Sequence, residues 1–348
     1  MNRGSSGWIG SIWLAVLAVG CGSCHPSTGD AKRSDARAAD ARSADAAMAD
    51  SQPPSGTCAA VAPGIQLGAL SSNEMNETSG LAASRAQPDL LWANNDSGDI
   101  ARVFAISTAG TLRGEFRLAD ATFIDAEDMA MGPGPAGVAG DWIYVADIGD
   151  NVAGMGGDGH DRVVIYRFPE PVVAAAGGDG DGAPDAVTIA AWEALPMVYP
   201  DEPHNAETLL VDPRTGDIYV VTKEGGGIST VFRAAAPLVP GETTTLEAVA
   251  TLRFGSDQAP GSGILATGGD ISPTGDAILI RTYGSMLWWP RAPGQSVAAA
   301  LSGHAVEAPL TPGGQGETVA FAGDGGGYYT INEGEGAAVW FFGCALSR

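Results

Sequence analysis

Basic residues are scarce: 18 lysines and arginines stand against 41 aspartates and glutamates, a formal net charge of −23 over 348 residues. So acidic a chain argues against nucleic acid or anionic lipid as the ligand and favours cations or cationic surfaces. Histidine and cysteine are limited to four each. No Cys-based zinc site, Walker-type phosphate loop or Gly-x-Ser-x-Gly elbow can be read from the sequence, which removes the zinc, P-loop and serine-hydrolase routes. The apolar run at 8–19 is also too short to span a bilayer, which takes about 20 residues.

That run follows Arg3 and leads through Ala18-Val19-Gly20 to Cys21, the pattern of a secretory signal over residues 1–20. The approach to the cysteine resembles the lipobox of bacterial lipoproteins, with Ala18 where that family prefers leucine. The resemblance implies that Cys21 is lipidated and is the first residue of an exported protein held to the membrane only through its acyl chains. Gly22 lacks the aspartate of an inner-membrane retention signal, so the outer membrane is the expected address. An ordinary signal peptide cut nearby is the alternative. Aspartate then recurs at 30, 35, 40, 45 and 50 among Ala, Arg and Ser, a period that builds neither helix nor strand. Residues 21–57 are therefore expected to be a disordered tether, closed by the breaker cluster Ser51-Gln-Pro-Pro-Ser-Gly56. Over residues 1–57 five acids and five bases cancel, so the excess charge lies in 58–348. Export places Cys58 and Cys344 in an oxidising compartment, and a bridge between them requires the folded region's two ends to meet. Cys24 is left without a derivable role.

From 58 onward the chain is rich in glycine and in short β-branched or aromatic runs, an all-β composition. Five segments share one layout: an acid or hydroxyl residue, a short apolar strand, a tight turn, and a second strand with a polar end. They begin at Glu77, Glu127, Glu207, Thr267 and Glu317 and end at Asn95, Asp147, Thr222, Thr282 and Asn332. Two further apolar strands follow most of them, as in a propeller blade. The last repeat stops one strand short, and Ile65-Gln-Leu-Gly-Ala-Leu70 can supply the missing one. The reading is a five-bladed β-propeller over 58–348, closed by an N-terminal strand that completes the last blade. The long gap between Glu127 and Glu207 leaves room for a sixth blade, although its Gly/Ala/Asp-rich stretches at 133–141, 154–161 and 175–184 read as loop insertions. A β-sandwich is the remaining alternative, but it gives no reason for one residue class to recur at one place.

In such a blade the start of the first strand and the end of the second share one face. Glu77, Glu127, Glu207, Thr267 and Glu317 are therefore expected to ring one mouth, with the second-strand ends beside them. The turns 212–217 and 272–276 mark the opposite, silent face. Four carboxylates converging on one axis repel one another, so protons, backbone amides or a cation must compensate. Oxygen-only donors select calcium over zinc or copper. The alternative is that these acids accept bonds from neighbouring blades.

The motifs Asn76-Glu-Thr-Ser-Gly-Leu, Asn94-Asn-Asp-Ser-Gly, Val145-Ala-Asp-Ile-Gly-Asp-Asn151, Tyr199-Pro-Asp-Glu-Pro-His-Asn-Ala-Glu207 and Arg281-Thr-Tyr283 resemble a family of secreted bacterial propellers of unassigned function. More distantly, one acid or hydroxyl per blade is similar to calcium-activated nucleotidases. That similarity implies a central calcium held by Glu77, Glu127, Glu207, Thr267 and Glu317. The nucleotide-binding aromatics of those enzymes are missing beside the acids. The expected role is thus a monomeric envelope lipoprotein that presents the mouth to a small molecule or an envelope protein. A calcium-dependent phosphoester hydrolase is the alternative. In that case Asp147, Asp150 and Glu207 are base candidates, His204 an acid or base, and Lys223 and Arg281 phosphate clamps. Asn95, Asp96, Thr222, Thr282 and Asn332 complete the expected ligand contacts. Gly177-Gly-Asp-Gly-Asp-Gly182 reads as a flexible turn, since it lacks the terminal glutamate of an EF-hand.

Overall fold

A computed structural model describes residues 58–151, 159–174, 185–310 and 315–346. The signal segment, Cys21, Cys24, the tether and the turn at 177–182 lie outside the described residues. The strands sort into five sheets, one per repeat. The first blade holds β3 (Thr78–Ala83), β4 (Leu90–Asn95), β5 (Arg102–Ser107) and β6 (Leu112–Leu118). The second holds β7 (Ala126–Pro133), β8 (Asp141–Asp147), β9 (Val163–Pro169) and β11 (Glu193–Val198). The third holds β12 (Ala206–Val211), β13 (Ile218–Thr222), β14 (Ile228–Ala234) and β16 (Glu247–Arg253), and the fourth β17 (Ala266–Ile271), β18 (Ala277–Thr282), β19 (Met286–Pro290) and β20 (Val306–Ala308). β21 (Ala320–Phe321), β22 (Gly327–Ile331) and β23 (Ala338–Leu346) make up most of the fifth.

Each blade packs a face against each neighbour, so the inner strands are buried on both sides. β3, β12 and β17 have no exposed position, whereas outer strands such as β6 and β16 carry exposed or half-buried positions. The apolar core is accordingly divided among the seams. Trp92, Met129 and Phe168 lie in a cluster between blades one and two; Tyr144, Leu209 and Phe232 between two and three; and Leu210, Ile278 and Trp289 between three and four. Leu279, Phe321 and Phe342 fill the next seam, and Leu81, Phe104, Ile331 and Val339 join blade five back to blade one. Five seams closing on themselves make a five-bladed β-propeller, and neither a sixth blade nor a two-sheet sandwich accounts for them.

The long gap after Glu127 is more than loop. It contributes β10 (Val187–Ile189), which pairs in parallel with β6 of the first blade, while β15 (Thr244–Thr245) pairs in parallel with β11. Both cover the outer edge of a fourth strand that would otherwise offer unpaired backbone groups.

Ring closure follows the expected route. β2 (Ile65–Ala69) lies antiparallel to β23, with Ile65 opposite Phe341, and β1 (Cys58–Val61) continues along the same strand, with Val61 opposite Cys344. Cys58 and Cys344 are disulfide-bonded across 286 residues of sequence, with Cα atoms 5.3 Å apart. A cross-link enclosing so long a loop removes much chain entropy from the unfolded state. Cys58→Ser is therefore expected to lower the unfolding free energy by about 4 kcal/mol, read as a lower urea midpoint. A reductant should reproduce the shift in the parent protein and cause none in the variant.

Candidate functional site

The mouth is built by a repeated irregularity in the innermost strands. In the second blade Ala126 pairs with Asp147 and Asp128 with Ala146, which leaves Glu127 as the extra residue of a β-bulge. The same step leaves out Glu207 in the third blade, Thr267 in the fourth and Ser79 in the first. In the fifth, Ala320 opposite Tyr329 corresponds to Ala130 opposite Tyr144, which places Glu317 at the same level. A bulged residue is freed from the ladder and its side chain is re-aimed. The ring is thus Ser79, Glu127, Glu207, Thr267 and Glu317.

Glu77 is a correction. The dipeptide Glu77-Thr78 mimics Glu207-Thr208 and Glu317-Thr318 in sequence, but the first blade's bulge falls two residues later and Glu77 is exposed. Ser79 takes its place, with its hydroxyl 3.3 Å from Glu127 Oε2. Asp96, which follows β4, fills the space left by the short serine; its N–H bonds to Glu77 O at 2.8 Å. Asp96, Glu127 and Glu317 each place a carboxylate oxygen within 4.8 Å of the other two.

The opposite side of the ring carries its own counter-charge. Lys223 Nζ donates to Glu207 Oε1 and to the Tyr283 hydroxyl at 2.8 Å, and that hydroxyl donates to Glu317 Oε1 at 3.0 Å. Glu207 Oε2, Glu317 Oε2 and Asp125 Oδ1 are buried with no hydrogen-bond partner among the described residues. Burial, reinforced by Glu207 and Asp96, holds Glu127 well above the usual carboxylate range. Glu207 is pushed up to about 8, chiefly by burial and against the pull of Lys223. Glu333 also rises to about 8, through burial and its contact with Glu317, while burial and Asp96 raise Asp125 to about 6. These carboxylates cannot all be ionised together without a compensating cation.

Below the ring, Asp128 crosses between blades. Its Oδ2 accepts from Leu209 N at 2.8 Å and Gly269 N at 3.1 Å, and its Oδ1 from Met129 N at 2.8 Å, so one buried carboxylate joins blades two, three and four. Beside the ring, Gly149 lets the 147–151 loop close on the acids. A Cβ at Gly149 would lie 2.3 Å from Glu127 Oε1 and 2.5 Å from Asp125 Oδ2. Gly149→Ala is expected to force that loop outward and destabilise the protein by about 1–3 kcal/mol, measured by urea denaturation.

Most of the remaining expected ligand contacts are engaged within the protein. Thr222 Oγ1 accepts Thr230 N, Thr282 closes a turn with Ser285, and Asn95 donates to Glu74 O and Asp99. Arg281 is fully buried and donates to Thr318 O, Ile331 O and Asn332 Oδ1. It holds the seam between blades four and five rather than a phosphate. Thr267 likewise donates to Gly316 O across that seam. Asp147 Oδ1 accepts Ile124 N and Asp125 N, and so supports the connection into the second blade. Asp150 receives His160 N, and its own N–H donates to Asn205 Oδ1. His204 is held between Glu224 and Asp201, at 2.8 and 3.0 Å, and packs on Tyr199 and Phe232. Of the expected contacts beyond the ring, Asp96 and Lys223 join its acids. Ser79, Asp125, Tyr283 and Glu333 were not anticipated. Ser79 and Tyr283 stand inside the motifs Asn76-Glu-Thr-Ser-Gly-Leu and Arg281-Thr-Tyr283, and Glu333 and Asp125 stand one and two residues from Asn332 and Glu127.

The chain is a five-bladed β-propeller with a mouth rich in oxygen donors. No protein-family model matches the sequence, and no curated protein matches it. Among solved structures, the crystal structure of the RRP9 WD40 repeats aligns with 77% of this chain and 67% of that chain, at 10% identity and a TM-score of 0.35.

Proposed function

We propose that the chain is an exported, lipid-anchored binding protein whose propeller mouth takes a hard divalent cation of the calcium class and, over it, a small molecule or an envelope protein. The observation that carries this reading is the convergence of Asp96, Glu127 and Glu317 on one point, with Glu317 Oε2 buried and without a donor among the described residues. All donors are oxygens, the ligand type of calcium and magnesium rather than zinc or copper. Lys223 and Tyr283 orient Glu317 and neutralise Glu207, which leaves the Asp96 side of the ring to the cation. The apolar run before Cys21 and the Cys58–Cys344 bridge fit an oxidising, extracytoplasmic address. The hydrolase alternative has weaker support, because Arg281 is enclosed, Lys223 is paired and His204 is engaged by two carboxylates.

Terbium, a calcium mimic, tests the reading, since Tyr283 lies against a proposed ligand and can sensitise its luminescence. Saturable emission displaced by calcium is expected from the full chain and should be lost in Glu127→Gln. In chelator at pH 8, that variant should also be more stable than the parent by about 1 kcal/mol, because a buried like charge has been removed. Absence of sensitised emission from the parent protein would defeat the proposal.

A further inference from the structure

A second feature lies on the flank of the ring. A groove of about 460 Å³ runs between the connection from the first blade, carrying Asp120 and Thr122, and the outer strands β9 and β11 of the second. That volume is within the range of small-molecule sites, about 300–1,000 Å³. Its wall is aromatic: Trp192 meets Tyr166 edge to face with centroids 5.5 Å apart, and Phe123 backs Tyr166 at 5.1 Å.

Two hydrogen bonds preform the groove. Trp192 Nε1 donates to Ala119 O at 2.9 Å, and the Tyr166 hydroxyl donates to Thr122 O at 2.8 Å. The polar atoms of both aromatics are thereby engaged in holding the wall, and what these rings offer a ligand is apolar surface. The rim is of mixed sign. Arg162 and His160 line it together with Asp120 and Asp147, and Arg162 is exposed and has no ion-pair partner among the described residues.

We propose that this groove binds a saccharide of one or two rings. A sugar ring has an apolar C–H face for Trp192 and Tyr166 and a circumference of hydroxyls that both donate and accept. Hydroxyls can therefore satisfy Arg162 and Asp120 at once. An anion would meet Asp120 and Asp147, a cation would meet Arg162, and an acyl chain would leave the charged rim without partners. The groove does not use the ring acids, so the inference is independent of the cation at the mouth.

The test is calorimetric titration of the full chain with maltose, cellobiose and N,N′-diacetylchitobiose, with adenosine monophosphate as the competing class. At least one disaccharide is expected to bind. Its affinity should fall at least 10-fold in Trp192→Ala and in Arg162→Ala and stay unchanged in Glu127→Gln. Arg162 is on the surface, so its variant remains informative if the tryptophan variant folds poorly. No binding of any of the three sugars, binding that both groove variants retain, or nucleotide binding in their place would overturn the assignment.

Discussion

Metal-free protein is expected to lose thermal stability as the pH rises from 5 to 8, and calcium is expected to restore it at pH 8 but hardly at pH 5. Burial raises Asp125 to about 6, Asp270 to about 7, and Glu207 and Glu333 to about 8, from ordinary values of 3.8 for aspartate and 4.5 for glutamate. A carboxyl whose folded pKa is raised binds its proton more tightly when folded. Its contribution is complete below about pH 4 and is lost as the pH climbs through these folded values. Asp212 has the opposite sign: burial opposes its charge, but Arg291 holds it ionised below its usual range. Its contribution fails in acid instead, so metal-free stability should peak near pH 4 to 5. On the proposed reading, a cation at the mouth would replace the missing protons once the acids ionise. At a thousandfold excess over its Kd it stabilises by about 4 kcal/mol, or about 10 °C in a domain of this size. Melting curves at pH 5 and pH 8, with calcium and with chelator, check both halves. A calcium response equal at the two pH values would contradict the account.

Asp128→Ala should be among the most damaging single substitutions in the inner strands, costing about 4 kcal/mol. The side chain is completely buried and accepts three backbone N–H groups, from Met129, Leu209 and Gly269. Alanine leaves those buried donors without partners, each at a cost of about 1–3 kcal/mol, partly relieved by collapse. Burial pushes Asp128 well above the ordinary carboxylate range, yet the three donors favour its charged form. Asparagine supplies one acceptor oxygen and should recover part of the loss. Urea denaturation of the two variants measures the difference. An alanine variant as stable as the parent would show that the three blades are not held together at this carboxylate.

Blade number and ring closure were legible because they depend on repetition. One layout recurred at five places, the last copy lacked a strand, and Ile65–Ala69 and the two outlying cysteines stood where closure required them. Glu127, Glu207, Thr267 and Glu317 were also legible, as the first polar residue before an apolar strand. Register in the first blade was not. A bulge leaves no mark in composition, and Glu77-Thr78 copies the dipeptide that opens the third and fifth blades while the strand places Ser79 at the ring. The polar second-strand ends were recognised as a class, but their partners are backbone groups of their own loops, and residue type does not reveal these. In the sequence Arg281 reads as a phosphate clamp, beside the polar second-strand end Thr282 expected at the mouth. Its burial depends on carbonyls 37 and 50 residues away in sequence. The flank groove is assembled from residues 120 to 241 across two blades, so no local window displays it.

The most direct measurement is a calcium titration of the full chain by calorimetry at pH 8. The account predicts one ion per chain at the mouth, with proton release on binding and with binding lost in both Glu127→Gln and Glu317→Gln. Absence of calcium binding, or binding that survives both substitutions, would contradict it.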